Sequence, residues 1–108
     1  MSIFLEGSPP HCIQILSYLA GRPSVQEDAS DDRVLKPLTA YGMADTLRLP
    51  ISSTYTAIVF LEGAGLIETL PNCYRGRNKR ARAYHLSAYG CRYAAALRAF
   101  QQTVKALR

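Results

Sequence analysis

Five cations crowd one short stretch of this chain: Arg75, Arg77, Lys79, Arg80 and Arg82 fall within eight consecutive residues. Guanidinium and ammonium groups at that density suit phosphate, through charge-assisted hydrogen bonds and the release of counterions. The wider charge distribution points the same way. Residues 1–68 carry eight acidic and four basic side chains, whereas residues 69–108 carry nine basic and no acidic ones, so the net +5 divides into −4 and +9. Such polarity fits a nucleic-acid backbone better than an anionic membrane, an acidic protein or a basic surface that only aids solubility.

Other chemistry finds less support. His11 and His85 are the only histidines, and neither has an acidic neighbour within a nucleophile motif. Ser52, Ser53 and Ser87 lack the G-x-S-x-G setting of an activated serine. Glu27, Asp28, Asp31 and Asp32 could attract a divalent cation, but a calcium loop needs a central Gly and a distal Glu. A solvated acidic loop is the simpler expectation. Cys12, Cys73 and Cys91 are widely spaced and form no C-x-x-C pair, so zinc and thioredoxin-type chemistry are not indicated and reduced thiols are expected. Arg75 and Arg77 could favour a reactive thiolate at Cys73, although a small side chain at a strand end explains that residue as well. Gly63-Ala64-Gly65 follows a helical pattern instead of preceding one, so it is not a phosphate cradle. No enzymatic activity, metal or cofactor is expected.

The elements that must carry the cations can be read from periodicity. Residues 9–20 pattern as a first helix, with Ser8 as cap, Pro9 at the first position, and Ile13, Leu16, Leu19 and Ala20 on the apolar side. Residues 22–35, with Pro23, two serines and four carboxylates, read as a loop with little to bury. Thr39 can cap a second helix over residues 39–47, whose inner side is Leu38, Met43, Ala44 and Leu47 and where Gly42 permits close packing. Arg48-Leu49-Pro50 interrupts it, because a residue before proline avoids the helical region. Ser52 or Ser53 then caps a third helix running to about residue 62. Thr54, Ala57, Ile58 and Leu61 should face inward, with Ser52, Ser53 and Thr56 outward and Tyr55 at the margin. Residues 66–70 and 82–86 pattern as two strands joined by a loose, turn-rich connection. Ser87 caps a last helix over residues 88–107. There Tyr93, Leu97, Phe100, Val104 and Leu107 are spaced 4, 3, 4, 3, a heptad-like seam suited to another helix. The partner could be a second copy, which is favoured, or the first helix of the same chain.

The order of short helix, brief turn, helix and hairpin resembles the winged-helix regulators, most closely the PadR-like group, with MarR-like proteins as near neighbours. The group has a Tyr early in its recognition helix and a Leu-Glu-x-x-Gly-Leu-Ile ending, which appear here as Tyr55 and Leu61-Glu62-Gly63-Ala64-Gly65-Leu66-Ile67. Its wing closes on Tyr-x-Leu-Thr-x-x-Gly, here Tyr84-His85-Leu86-Ser87-Ala88-Tyr89-Gly90. The likeness covers roughly residues 37–92. It implies a mainly α fold with a small β-hairpin: a winged helix–turn–helix with a C-terminal dimerisation helix. The parts would be residues 1–38 (first helix and acidic loop), 39–62 (helix–turn–helix), 66–86 (wing) and 87–108 (dimerisation helix).

The corresponding function is sequence-specific binding of double-stranded DNA by a homodimeric transcriptional regulator, most simply a repressor. The DNA-binding candidates are Arg48, Ser52, Ser53, Tyr55, Thr56, Arg75, Arg77, Lys79, Arg80 and Arg82. The dimer candidates are Tyr93, Leu97, Phe100, Val104 and Leu107. A partition or replication adaptor that coats repeated sites, and a winged-helix module that binds protein, are the alternatives. Some members of the resembled group bind small aromatic effectors, and Tyr89, Tyr93 and Phe100 could line such a pocket, though core packing would explain them equally. One departure matters: no Lys or Arg lies between Arg48 and Arg75, so the bidentate arginine–guanine contact is missing from the third helix. No apolar run approaches the ~20 residues of a membrane span, and residues 1–5 are too short for a secretory signal. A cytoplasmic, nucleoid-associated protein is expected.

Overall fold

The computed structural model describes residues 8–22, 35–70 and 82–107. Within them the chain is mainly helical, with one two-stranded antiparallel sheet. The order is α1 (Cys12–Ala20), a 3-10 turn (Lys36–Leu38), α2 (Ala40–Leu47), α3 (Ile51–Gly63), β1 (Ile67–Thr69), β2 (Tyr84–Leu86) and α4 (Ala88–Ala106). The acidic segment with Glu27, Asp28, Asp31 and Asp32 lies outside the described residues, as do Cys73 and the cations Arg75, Arg77, Lys79 and Arg80.

α1 starts later than its sequence pattern predicts. Pro9 precedes Pro10 and is therefore held away from the helical region. The chain turns through His11, which has φ 75°, and the helix begins at Cys12 without a side-chain cap. Ser8 is thus not the cap. The later start moves the buried face to Cys12, Ile15, Leu16 and Leu19, an i, i+3, i+4, i+7 set. Ile13 and Ala20, expected inside, are exposed. At the far end Tyr18 donates from its hydroxyl to the Pro37 carbonyl at 2.9 Å, and Arg22 stacks on the Tyr18 ring at 4.5 Å. The Tyr18–Pro37 bond ties α1 to the 3-10 turn. Leu35, read as the end of a loop with little to bury, is buried in the core.

Thr39 caps α2 as expected, accepting from the Gly42 amide at 3.1 Å. Met43 and Ala44 are buried and Leu47 is partly so. A Cβ at Gly42 would overlap the Lys36 carbonyl, so only glycine lets the 3-10 turn fold back on the helix. α3 buries Thr54, Ala57, Ile58 and Leu61, the four residues expected on its inner side. Its cap differs: α3 starts at Ile51 after Pro50, and neither Ser52 nor Ser53 caps it. Thr54 is fully buried and donates to the Pro50 carbonyl at 2.9 Å, which keeps its hydroxyl satisfied.

β1 and β2 pair with Ile67 opposite Leu86, Glu68 opposite His85 and Thr69 opposite Tyr84. Beyond Thr69 the Leu70 amide donates to the Ala83 carbonyl at 2.9 Å, and a single bridge joins Ala83 to Thr39. The hairpin base is thereby fixed to the start of α2. The core gathers α1, the 3-10 turn, the inner faces of α2 and α3, and the inward residues Leu66, Ile67, Leu70, Ala83 and Tyr84.

One junction joins α3, the hairpin and α4. Gly65 takes φ 78°, open to glycine and strained for other residues. The Leu66 carbonyl accepts from the Ser87 amide at 3.1 Å. Ser87 donates its hydroxyl to the Gly65 carbonyl at 2.6 Å and accepts from the Gly90 amide at 2.9 Å, so it caps α4 while holding β1. A Cβ at Gly90 would overlap the Leu66 carbonyl oxygen.

Gly90→Ala should therefore destabilise the fold by about 2 kcal/mol, within the range for overpacking a tight site. Gly63→Ala has open space around it and should stabilise by about 0.5–1 kcal/mol through helix propensity. Urea unfolding of the two variants beside the parent measures both; equal effects would contradict the junction as described.

Candidate nucleic-acid interface

The candidate surface starts at the turn between α2 and α3. The Arg48 amide donates to Asp45 at 3.3 Å and the Leu49 amide to Ala44 at 2.9 Å. This double closure is a Schellman ending, which normally takes glycine at its left-handed position. Here Arg48 occupies it, with φ 56° and ψ 49°, at a cost of roughly 1–2 kcal/mol. The Arg48 side chain is exposed beside the first turn of α3. Pro50 supplies no side-chain acceptor there, so the leading N–H groups of α3 keep the partial positive charge of a helix start.

Along α3, Ser52, Tyr55 and Thr56 are exposed and Ser53 is half-buried. Val59, which the sequence reading did not single out, is 53% exposed. Ser52, Tyr55, Thr56 and Val59 are spaced i, i+3, i+4, i+7 and form one stripe opposite the buried side. That spacing was available in the sequence, but an aliphatic residue is ordinarily assigned to the core. Thr56 donates its hydroxyl to the Ser52 carbonyl at 3.0 Å. It is therefore not a free donor, contrary to the expectation that it could donate to phosphate; its methyl and an accepting oxygen remain.

The base of the hairpin adjoins this helix. Thr69 donates to Glu62 Oε2 at 2.9 Å, linking β1 to the last turn of α3. Burial raises the Tyr84 phenol above its ordinary range; the Glu62 charge and Tyr55 raise it further, while Arg82 pulls it down. Arg82 directly precedes Ala83, whose carbonyl closes the hairpin base by accepting from the Leu70 amide. His85 Nε2 sits 3.4 Å from Glu68 Oε1 across the sheet, a cross-strand pair.

The C-terminal seam divides. Leu97 is 5% exposed and Tyr93 packs against the core. These two were expected at a dimer interface, but within the chain they lie on the side of α4 that meets the rest of the molecule. Phe100, Val104 and Leu107 remain exposed, at 47%, 37% and 81%. A cavity of about 420 Å³ runs between α1 and α4, lined by Leu16, Ala20, Leu86, Ala94, Leu97 and Arg98 among others. Tyr89, Tyr93 and Phe100, considered for an effector pocket, do not line it. Tyr89 and Tyr93 instead meet edge to face at 6.2 Å. Among the described residues no group of three His, Cys, Asp or Glu side chains could hold a metal, and no helix is long and apolar enough to cross a membrane.

No family model, curated protein or solved structure matches the chain.

The strained Arg48 yields a prediction with two readouts. Arg48→Gly relieves the left-handed backbone and should raise stability by up to about 1 kcal/mol. It also removes an exposed cation beside the α3 stripe, so affinity for generic duplex should fall. Thermal unfolding and duplex titration of the same preparation check the pair. A loss of stability would contradict the backbone argument.

Proposed function

We infer that this chain is a winged helix–turn–helix protein that binds double-stranded DNA, acting as a dimeric regulator and most simply as a repressor. The observation that carries the reading is the exposed stripe of α3, with Ser52, Tyr55, Thr56 and Val59 flanked by Arg48 at one end and the hairpin base bonded to the last turn through Thr69 and Glu62. A major groove about 12 Å wide admits an α-helix. α2 reaches α3 through only Arg48, Leu49 and Pro50, the short link that a helix–turn–helix requires. The hairpin follows α3 at once and leads into Arg75, Arg77, Lys79 and Arg80. In this reading α3 lies in the groove and the wing cations track phosphates or a narrow minor groove.

Dimerisation finds support in the unburied end of α4. Phe100, Val104 and Leu107 continue the 3-4 spacing and stay exposed among the described residues. A two-fold pair would set two recognition helices about 34 Å apart, one turn of duplex, and would favour inverted repeats.

The test is titration of a short mixed-sequence duplex at several salt concentrations. Affinity should fall steeply and linearly on logarithmic axes. The double variant Arg77→Glu/Arg80→Glu should lose about tenfold or more in affinity for all sequences alike, with a salt slope shallower by about two. Binding that ignores salt, or arginine reversals without effect, would overturn the wing assignment and favour a protein-binding module.

A further inference from the structure

We propose that the α3 stripe reads the C5-methyl groups of thymine in the major groove, with Val59 as its principal specificity-determining residue and Thr56 beside it. The proposal rests on the DNA-binding reading above and deepens it by naming the duplex chemistry that the helix selects.

The first ground is what α3 lacks. From Ile51 to Gly63 it contains no Arg, Lys, Asn or Gln. The side chains that pair bidentately with guanine or adenine edges are therefore absent from the helix. The second ground is what it presents. Thr56 has committed its hydroxyl proton to the Ser52 carbonyl, which leaves the methyl as its distinctive outward group. Val59 lies one turn further along the same stripe with two methyl groups and 53% exposure. An isolated exposed aliphatic residue is ordinary on a protein surface. This one stands in line with Ser52, Tyr55 and Thr56, on the side of α3 that the core leaves free.

Chemical matching then narrows the target. Each base pair shows donors and acceptors in the major groove, but among the standard bases only thymine adds an apolar group there. Aliphatic methyls facing that group remove apolar surface from water on both sides. At the far end of the stripe Glu62 accepts from the Thr69 hydroxyl, and its negative charge would repel phosphate. The readable length of the helix therefore ends near Val59. Ser52 and Tyr55, nearer the positive helix start, are left to position the backbone.

The direct experiment uses two alternating duplexes, one of adenine and thymine and one with every thymine replaced by deoxyuridine. The replacement removes the methyl and leaves base pairing intact. The parent protein should bind the thymine duplex more tightly, by about fourfold for each methyl that is buried. Val59→Ala, an exposed change that favours helix, should lose most of the preference, read as the ratio of its affinities for the thymine and uracil duplexes. A third duplex of guanine and 5-methylcytosine, beside its unmethylated form, carries the same methyl at the same groove position and should show the same sign of preference. If the parent binds the thymine and uracil duplexes equally, with normal salt dependence, the methyl inference fails while DNA binding stands. If Val59→Ala retains the full preference, Val59 is not the reader. If no duplex is bound at low salt, the underlying DNA-binding reading fails with it.

Discussion

The Leu66 carbonyl is the point on which the arrangement of this molecule turns. It accepts from the Ser87 amide, and Gly90 packs against it where any side chain would collide. Leu66 itself is fully buried, and its own amide bonds back to Leu61 in the last turn of α3 at 3.0 Å. One residue thus fixes the end of α3, the start of β1 and the first turn of α4. Ser87 adds to the lock by bonding to Gly65 and Gly90 at once. Any function that needs the hairpin beside α3 depends on this junction, because among the described residues six of regular strand hold the sheet itself.

The junction also explains why part of the fold is legible in the sequence. Gly65, Leu66, Ser87 and Gly90 occur in two short patterns whose spacing is set by sterics and hydrogen bonding, and local rules capture such constraints. Thr39 as a cap and the buried set Thr54, Ala57, Ile58 and Leu61 were readable for the same reason. The misread places are those where neighbours decide. Ser8 looked like a cap until consecutive prolines pushed the start of α1 to Cys12 and rotated its buried face. Ser52 and Ser53 have the right chemistry to cap α3, but Pro50 already has the extended backbone that the cap position needs. Leu97 belongs to a regular seam, yet it is buried within the chain, since spacing cannot say which helix fills a groove.

The candidate surface was legible by its polar residues and not by its apolar one. Hydroxyls on the outer side of a helix are noticed because they do not belong in a core. Val59 is overlooked because it does, although its spacing from Ser52, Tyr55 and Thr56 fixes its direction. Arg48 shows the opposite case. Its charge marks it in the sequence, but its left-handed backbone becomes visible only once the Schellman closure is seen. Strain of that kind costs stability while the side chain itself stays exposed. The electrostatics divide the labour: cations concentrate after residue 68, whereas α3 is nearly neutral and carries shape and methyl groups.

The measurement that bears most directly on the account is residue-resolved NMR of the labelled protein during titration with a short duplex. The account predicts that the largest shifts fall on Arg48, Ser52, Tyr55, Thr56, Val59 and Arg82, with α1 and the Phe100–Leu107 end of α4 little changed. Shifts concentrated on α1 or on that end of α4, with the α3 stripe silent, would contradict it.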